Sequence, residues 1–156
     1  MNADLLAKQL VDHEAERFFP YDDATGRPLR TGDTLKGKLT IGVGRNLTAV
    51  GIHPMESRYL LQNDMGDVAR ELDQRLAWWR TLDDVRQRVL ADLAFNMGVG
   101  GLLTFVSFLA EMQRGNFVVA ASDLDSTLYA RQVGRRERHL KAMLISGQDS
   151  PYSSVK

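Results

Sequence analysis

Two carboxylates near the N-terminus, Glu14 and Asp23, stand nine positions apart, and Thr40 follows them in the run Thr-Ile-Gly-Val-Gly. Glycoside hydrolysis requires such a pair, because one carboxyl protonates the leaving oxygen while the other activates water or stabilises the cationic sugar. A threonine hydroxyl can donate to one partner and accept from that water. Spacing alone also fits ordinary surface charge, but the ordered run favours Glu14, Asp23 and Thr40 as catalytic residues.

The local structure around each acid is expected to give Glu14 and Asp23 different protonation states and different roles. Glu14 is expected in the last turn of a helix, where apolar neighbours exclude water and keep its carboxyl protonated, as a general acid requires. Asp23 is expected on the next strand or turn, beside polar backbone, where it stays ionised. Glu16 and Asp22 are predicted to point away from this pair and to have structural roles.

The composition excludes several other classes of protein. The chain has 156 residues, 20 basic and 20 acidic side chains, and no cysteine. A disulfide scaffold, a catalytic thiol and a thiolate metal site are therefore excluded. The balanced charge argues against a nucleic-acid-binding protein. A cluster of basic residues fits equally a solvated helix face or a surface for an anionic polymer; its members are Arg131, Arg135, Arg136, Arg138 and Lys141.

Other motifs lack a necessary residue. The segment 32–38 matches a phosphate loop up to its lysine, but Leu39 stands where magnesium binding needs Ser or Thr. No Gly-x-Ser-x-Gly elbow is present, and the three histidines lack the spacing of metal ligands. We therefore expect neither a metal nor another cofactor.

Periodicity predicts an α+β fold that is mostly helical, with a small antiparallel sheet within residues 18–43. Asn2 should cap a first helix that ends near Asp12 and has an apolar stripe of Leu5, Leu6, Leu10 and Val11. Pro54 should open a long helix that ends near Trp79, and a capping box at 81–84 should begin another that ends at 98–101. The remaining predicted helices are Leu102–Phe105, Phe108–Arg114, Phe117–Leu124 and Arg135–Ser146, followed by a loose tail at 148–156.

The order of these motifs resembles the lysozymes of the T-even phages and related phage endolysins. The family has a Glu-x8-Asp pair, a glycine-containing turn and Thr-Ile-Gly-x-Gly, which correspond to Glu14, Asp23 and Thr40. The similarity extends over about residues 4–147, through Arg17 and Tyr21, the run 93–98 that ends in Phe-Asn-Met-Gly, and Tyr129 with Arg135 and Arg138.

The resemblance implies one lysozyme-like domain over 1–156 with two lobes. A sheet lobe, about 13–60, is joined by a long helix to a helical lobe of 80–147 plus the N-terminal helix, with a saccharide cleft between them. It further implies that Arg135 steadies Glu14 through an ion pair, that Arg17 is a supporting residue, and that Asn96 and Tyr129 contact substrate. Asn96 fits equally a bond to a sugar N-acetyl group or a cap on its neighbour's backbone.

One segment and two single positions depart from the family pattern. Thirteen residues separate Gly26 from Thr40, more than in the T-even hairpin, and this insertion should reshape one rim of the cleft. Arg45 replaces a histidine after Thr-Ile-Gly-x-Gly and is predicted to pair with Asp64. Leu128 replaces a tryptophan beside Tyr129.

The resemblance implies a phage endolysin that hydrolyses the β-1,4 bond between N-acetylmuramic acid and N-acetylglucosamine in peptidoglycan, leading to lysis of the host. We expect the protein to be a monomer. Because the first residues are not those of a signal peptide, we expect it to be made in the host cytoplasm. Its release should then depend on a separate membrane-permeabilising protein. The alternatives are a lytic transglycosylase and a non-catalytic helical protein that binds cell wall or nucleic acid.

Overall fold

Helices form most of the chain, and a small antiparallel sheet follows the first of them. The computed structural model describes residues 1–125 and 134–150, which contain four strands, seven α-helices and a 3-10 helix at Ala77–Thr81. The strands are β1 Arg17–Asp22, β2 Arg27–Pro28, β3 Leu39–Gly42 and β4 Arg45–Asn46. The helices are α1 Ala3–Glu14, α2 Leu47–Val50, α3 Pro54–Arg75, α4 Asp84–Leu103, α5 Val106–Arg114, α6 Phe117–Asp125 and α7 Arg135–Ser146. The predicted fold class is confirmed.

The sheet has the order β2-β1-β3-β4, with every neighbouring pair antiparallel. Tyr21 lies opposite Thr40, and both side chains are buried. The register between β1 and β3 shifts between Arg17 and Tyr21. Pro20 lies within this irregular stretch, where its missing N–H removes no regular ladder bond. The sheet thus aligns the end of β1 with the first half of β3.

Helix α1 begins as predicted, because the Asn2 side chain accepts a hydrogen bond of 3.0 Å from the backbone N–H of Leu5. It ends at Glu14 rather than near Asp12. Its apolar stripe is mostly open: Leu6 is half-buried, and the other three members are exposed.

The start of α3 carries two reciprocal caps. The His53 ring accepts from the N–H of Met55 at 3.2 Å, while Glu56 accepts from the N–H of His53 at 2.6 Å. Pro54 is the first helical residue, as predicted. The predicted end near Trp79 is wrong, because α3 stops at Arg75 and a separate 3-10 helix contains Trp79.

Helix α4 differs from its prediction at both ends. Its N-cap is Asp83, whose side chain accepts from the N–H of Arg86, whereas the Thr81 hydroxyl donates to the Trp78 carbonyl of the preceding 3-10 helix. The helix was predicted to end at 98–101, but the structure has a kink there instead. Gly98 has φ 76° and ψ 153°, and helical structure then resumes as far as Leu103. A positive φ costs glycine little, so the chain bends there.

The later helices follow their predictions more closely. Helix α5 begins two residues earlier than expected, α6 ends one residue later, and α7 has the predicted bounds. Gly147 adopts a left-handed conformation and ends α7 as predicted. The Arg86 guanidinium donates to the carbonyls of Leu144 and Ile145. At the start of the predicted tail, Asp149 accepts from Arg88 at 2.6 Å.

The chain divides into two compact units, Met1–Arg58 and Tyr59–Lys156. The structure therefore groups α1 with the sheet, whereas the resemblance assigns it to the helical lobe. The second unit contains an apolar core contributed by α3 to α7 and the 3-10 helix; its fully enclosed members include Leu72, Leu90, Leu93, Leu102, Phe108, Met112 and Leu144. Within residues 1–125 and 134–150, no single helix is long and apolar enough to span a membrane, although α4 and α5, bent by 107°, pass that test as a pair.

Candidate active site

Glu14 lies in the last turn of α1, as the sequence predicts, and its carboxyl group lies beside Gly44. A Cβ atom placed on Gly44 would lie 3.1 Å from Glu14 Oε2, and Gly44 has a φ of +69°. A side chain at position 44 would therefore be strained and would crowd the carboxylate. The second glycine of Thr-Ile-Gly-Val-Gly thus accommodates Glu14.

The predicted desolvation of Glu14 by apolar neighbours is wrong, because its side chain is exposed. Gly44 has no side chain with which to cover it, and the preceding apolar residues of α1, Leu10 and Val11, are themselves exposed. Glu16 is also exposed. The position beside Gly44 distinguishes Glu14 from this neighbour.

The residue after Glu14 has a strained backbone. Ala15 has φ 59° and ψ 133°, and it is the one non-glycine residue with positive φ in the described part of the chain. Such conformations cost on the order of 1–3 kcal/mol and concentrate at functional sites. The strain occurs where the chain turns from α1 into β1.

Asp23 and Thr40 are joined through the backbone of Lys38. The N–H of Asp23 donates to the Lys38 carbonyl at 3.1 Å, and the Thr40 hydroxyl donates to the same carbonyl at 3.2 Å. The N–H of Lys38 in turn donates to Asp23 Oδ1 at 2.6 Å. Asp23 is exposed and Thr40 is buried, so a carboxylate open to solvent is held beside a fixed hydroxyl.

Asp22 has the structural role that the sequence predicts. Its Oδ1 accepts from the N–H groups of Ala24 and Gly37, and its Oδ2 accepts from that of Lys36. The bond from Lys36 is the largest cause of a lowered Asp22 pKa; burial opposes it, and the bonds from Ala24 and Gly37 and the Lys36 charge add to it. The carboxylate fastens the returning loop to the end of β1.

Gly37 allows this loop to approach β1 closely. A Cβ atom at position 37 would overlap Asp23 Oδ1 and lie 2.8 Å from the Ala24 backbone nitrogen. Sequence reasoning missed both Gly37 and the part that Asp22 plays in holding the loop. For Asp22, the run Asp-Asp-Ala at 22–24 was the available signal, since Asp side chains commonly bond a backbone N–H two residues on.

Arg17, the first residue of β1, contacts the turn that follows the last residue of the strand. Its guanidinium lies over the Tyr21 ring, 4.3 Å from the centroid, and donates to the Gly26 carbonyl at 2.6 Å. It therefore links β1 to the turn before β2. The supporting role expected of Arg17 at the active site stays a prediction.

Arg45 pairs with Glu56 rather than with Asp64, so that prediction is wrong. Glu56 lies in the first turn of α3, and Asp64 lies eight residues further along, about 12 Å at 1.5 Å per residue. The pKa of Glu56 is lowered, first by the N–H of His53 and then by Arg45. Arg45 thus holds β4 near the start of α3.

The remaining predicted residues lie outside the first unit. Asn96 is exposed on α4, and its side chain makes no hydrogen bond with the described residues, so the predicted cap is not observed. Arg135 is exposed at the start of α7, and its ion pair with Glu14 stays a prediction. In the basic cluster, Arg136 pairs with Asp92 at 2.8 Å and Lys141 with Glu137 at 3.5 Å. Tyr129, Leu128 and Arg131 lie outside the described residues.

The first unit thus places all three predicted catalytic residues at the segment 38–44. Glu14 lies beside Gly44, Thr40 lies within the segment, and Asp23 is bonded to the Lys38 backbone through both its own N–H and its carboxylate. One acid and one fixed carboxylate beside a hydroxyl provide the groups for acid-assisted attack by water on a glycosidic carbon. The described residues contain no group of three His, Asp or Glu side chains that could hold a metal.

Comparison with known proteins gives one significant similarity. No protein-family model matches the chain. The chain is 29% identical over 136 residues to the pre-baseplate central spike protein Gp5 of Enterobacteria phage T4. This alignment covers 83% of the chain and 24% of the spike protein, so the chain spans about a quarter of that relative's length. The chain is therefore similar to part of a phage protein.

Proposed function

We propose that the chain is a muramidase of the phage lysozyme type, which hydrolyses the β-1,4 bond between N-acetylmuramic acid and N-acetylglucosamine. The observation that supports this most is that Asp23 and Thr40 both bond the Lys38 backbone, with Glu14 beside Gly44 in the same segment. Two carboxyl groups without a metal are the usual requirement of glycoside hydrolysis.

The proposed reaction is acid-assisted displacement by water. Glu14 donates its proton to the leaving glycosidic oxygen as the bond to C1 breaks. Water attacks C1 and loses its proton to Asp23, whose Oδ2 makes no hydrogen bond with the described residues and can accept one from that water. The Thr40 hydroxyl donates to Lys38, so its lone pairs are directed to other donors such as this water.

Asp23 acts on water in this scheme and does not attack the sugar, so we propose inversion at C1. Proton NMR of freshly released saccharides should detect the α-anomer first. Initial release of the β-anomer, or a trapped adduct between the sugar and Asp23, would assign Asp23 as the nucleophile.

Glu14→Gln tests the proposed acid. The amide keeps the size of the side chain but has no acidic proton, so lysis of permeabilised Gram-negative cells should fall by a factor on the order of 100 or more. Glu16→Gln is the matched control, since it makes the same change two residues away on another exposed side chain. Near-normal lysis by folded Glu14→Gln would refute Glu14 as the acid. Loss of lytic activity in Glu16→Gln alone would assign the acid to Glu16.

Product analysis separates hydrolysis from its alternatives. A muramidase leaves reducing ends, whereas a lytic transglycosylase leaves anhydro ends that are lighter by one water, which mass spectrometry resolves. A non-catalytic wall-binding or nucleic-acid-binding protein would release no saccharide. Asp23 and Thr40 favour hydrolysis because both can hold a water.

The similarity to a spike protein adds a second setting for the same activity. An endolysin is released from the host cytoplasm with the help of a membrane-permeabilising protein, whereas a spike component is carried by the phage particle. An antibody to this chain should detect it in infected cells and not in washed particles if it is an endolysin. Detection in particles would favour the spike setting.

A further inference from the structure

The inserted connection between β2 and β3 lines an open cavity next to the candidate active site. The cavity has a volume of about 620 Å³ and is lined by the β1–β2 turn and residues 27–36. Its charged lining side chains are Asp22, Arg27, Arg30, Asp33 and Lys36. No aromatic side chain lines it.

The two carboxylates in the lining are engaged by backbone groups. Asp22 accepts three N–H bonds, and Asp33 accepts one from the N–H of Arg30 at 2.8 Å. The guanidinium groups of Arg27 and Arg30 are exposed and form no ion pair or hydrogen bond with the described residues. The cavity therefore offers cationic groups to an outside anion.

The wall of this cavity is held in place before any ligand binds. The N–H of Leu29 donates to the Pro20 carbonyl, and that of Asp33 donates to the Arg30 carbonyl, both at 3.0 Å. Together with the bonds from Lys36 and Gly37 to Asp22, these fix both ends of the connection. A preformed site avoids the entropic cost of ordering a loop on binding.

The cavity lies next to the catalytic segment. Asp22, which lines the cavity, accepts a hydrogen bond from the N–H of Gly37, and Asp23 accepts one from the N–H of the next residue, Lys38. A group that branches from a sugar bound at Asp23 is therefore within reach of the cavity. In peptidoglycan, the peptide stem branches from the muramic acid ring and carries carboxylate groups.

We propose that this cavity binds carboxylates of the peptide stem, through Arg27 and Arg30. The proposal rests on the proposed function, because it takes the substrate to be peptidoglycan. Guanidinium groups bind carboxylates through paired, charge-assisted hydrogen bonds. Single-stranded nucleic acid is disfavoured as the ligand, since the cavity lacks aromatic groups for stacking and its wall includes two carboxylates.

The test compares one glycan with and without its peptides. The double variant Arg27→Ala/Arg30→Ala should lower the ratio of kcat/KM on peptide-bearing glycan to kcat/KM on amidase-stripped glycan about tenfold, mainly through KM, as expected for two exposed ion pairs. The matched control is Arg70→Ala/Arg75→Ala, which removes the same charge from α3 and should leave the ratio unchanged. An unchanged ratio in the first variant, or an equal fall in the control, would overturn the proposal.

A binding measurement separates this proposal from the proposed activity. Soluble stem peptide should perturb the NMR signals of the Arg27 and Arg30 side chains, and the double variant should bind the same peptide about tenfold more weakly in a calorimetric titration. If the full chain cleaves neither glycan but binds the peptide, the muramidase assignment fails and the cavity proposal stands. If inorganic phosphate binds there and the stem peptide does not, the cavity proposal fails.

Discussion

The two units of the chain are stabilised by different kinds of interaction. Within residues 1–58 the buried side chains are Tyr21, Asp22 and Thr40, two of which are polar, whereas the second unit encloses a cluster of aliphatic and aromatic side chains. In the first unit, hydrogen bonds from backbone groups to carboxylates determine the course of the loop. An exposed carboxylate, that of Asp23, can therefore be held in a fixed place without an apolar core around it.

The largest expected effect concerns the apolar core of the second unit. Leu93 is completely buried, so Leu93→Ala should lower the free energy of unfolding by about 2–5 kcal/mol through lost burial and the cavity left behind. Leu10→Ala, on the exposed stripe of α1, should cost only about 0.5 kcal/mol. Urea denaturation measures both. An equal cost at the two positions would mean that α1 is packed as firmly as the core, and the contrast between the units would fail.

A glycine from each unit provides a second contrast. Gly37→Ala forces a methyl group into Asp23 and Ala24, so it should cost about 1–3 kcal/mol and lower lytic activity about tenfold. Gly66 lies in α3 with nothing near its missing Cβ, and Gly66→Ala should stabilise the protein by about 0.5–1 kcal/mol. Thermal unfolding and a lysis assay measure both variants. Full activity in Gly37→Ala would show that the close approach of the loop does not position Asp23.

The dependence of the first unit on a carboxylate should appear as a pH effect. The folded-state pKa of Asp22 lies below its ordinary value of 3.8, so its hydrogen bonds stabilise the fold above about pH 4, and this stabilisation is lost as the pH falls through the folded-state value. Asp22→Asn should lower the Tm at pH 7, and the gap to the unaltered protein should narrow in acid. The gap is the quantity to measure, because Glu56, Asp73, Asp83 and Glu111 also have lowered pKa values. A gap that stays constant with pH would refute the role given to the carboxylate.

The smallest expected effect concerns the strained residue after Glu14. Glycine adopts a positive φ readily, so Ala15→Gly should raise the free energy of unfolding by about 1 kcal/mol. Ala7→Gly, within α1, should lower it by about 1 kcal/mol. Chemical denaturation should therefore give opposite signs for the same substitution. Destabilisation at both positions would show that Ala15 stores no strain.

The elements that sequence predicted well are those determined by local chemistry. Asn2, Pro54 and Gly147 each act on the backbone within a few residues, and each lies where the pattern placed it. Thr81 was misassigned because both Thr and Asp are good N-caps, and position along the sequence does not decide between them. Helix α4 was predicted to end at 98–101, but it bends at Gly98 and continues as a helix. A glycine in the sequence does not show whether a helix ends or only bends there.

The candidate site was predictable in its residue types and less so in its contacts. The two acids and the threonine are candidates because of their residue types and order along the sequence, and neither of these requires knowledge of the path of the loop at 27–39. The contacts of Asp22 with Lys36 and Gly37 join residues 14 and 15 positions apart, and the pairing of Arg45 with Glu56 depends on where α3 begins. Such contacts depend on the path of the loop, which periodicity does not specify.

The double use of the Lys38 backbone has a consequence for sequence variation at that position. Its carbonyl accepts two hydrogen bonds and its N–H donates a third, while its exposed side chain makes none with the described residues. In a library that samples every amino acid at position 38, most replacements should retain lysis, and proline should be depleted because it has no N–H for Asp23. A position with an apparently interchangeable side chain can thus be indispensable in its main chain.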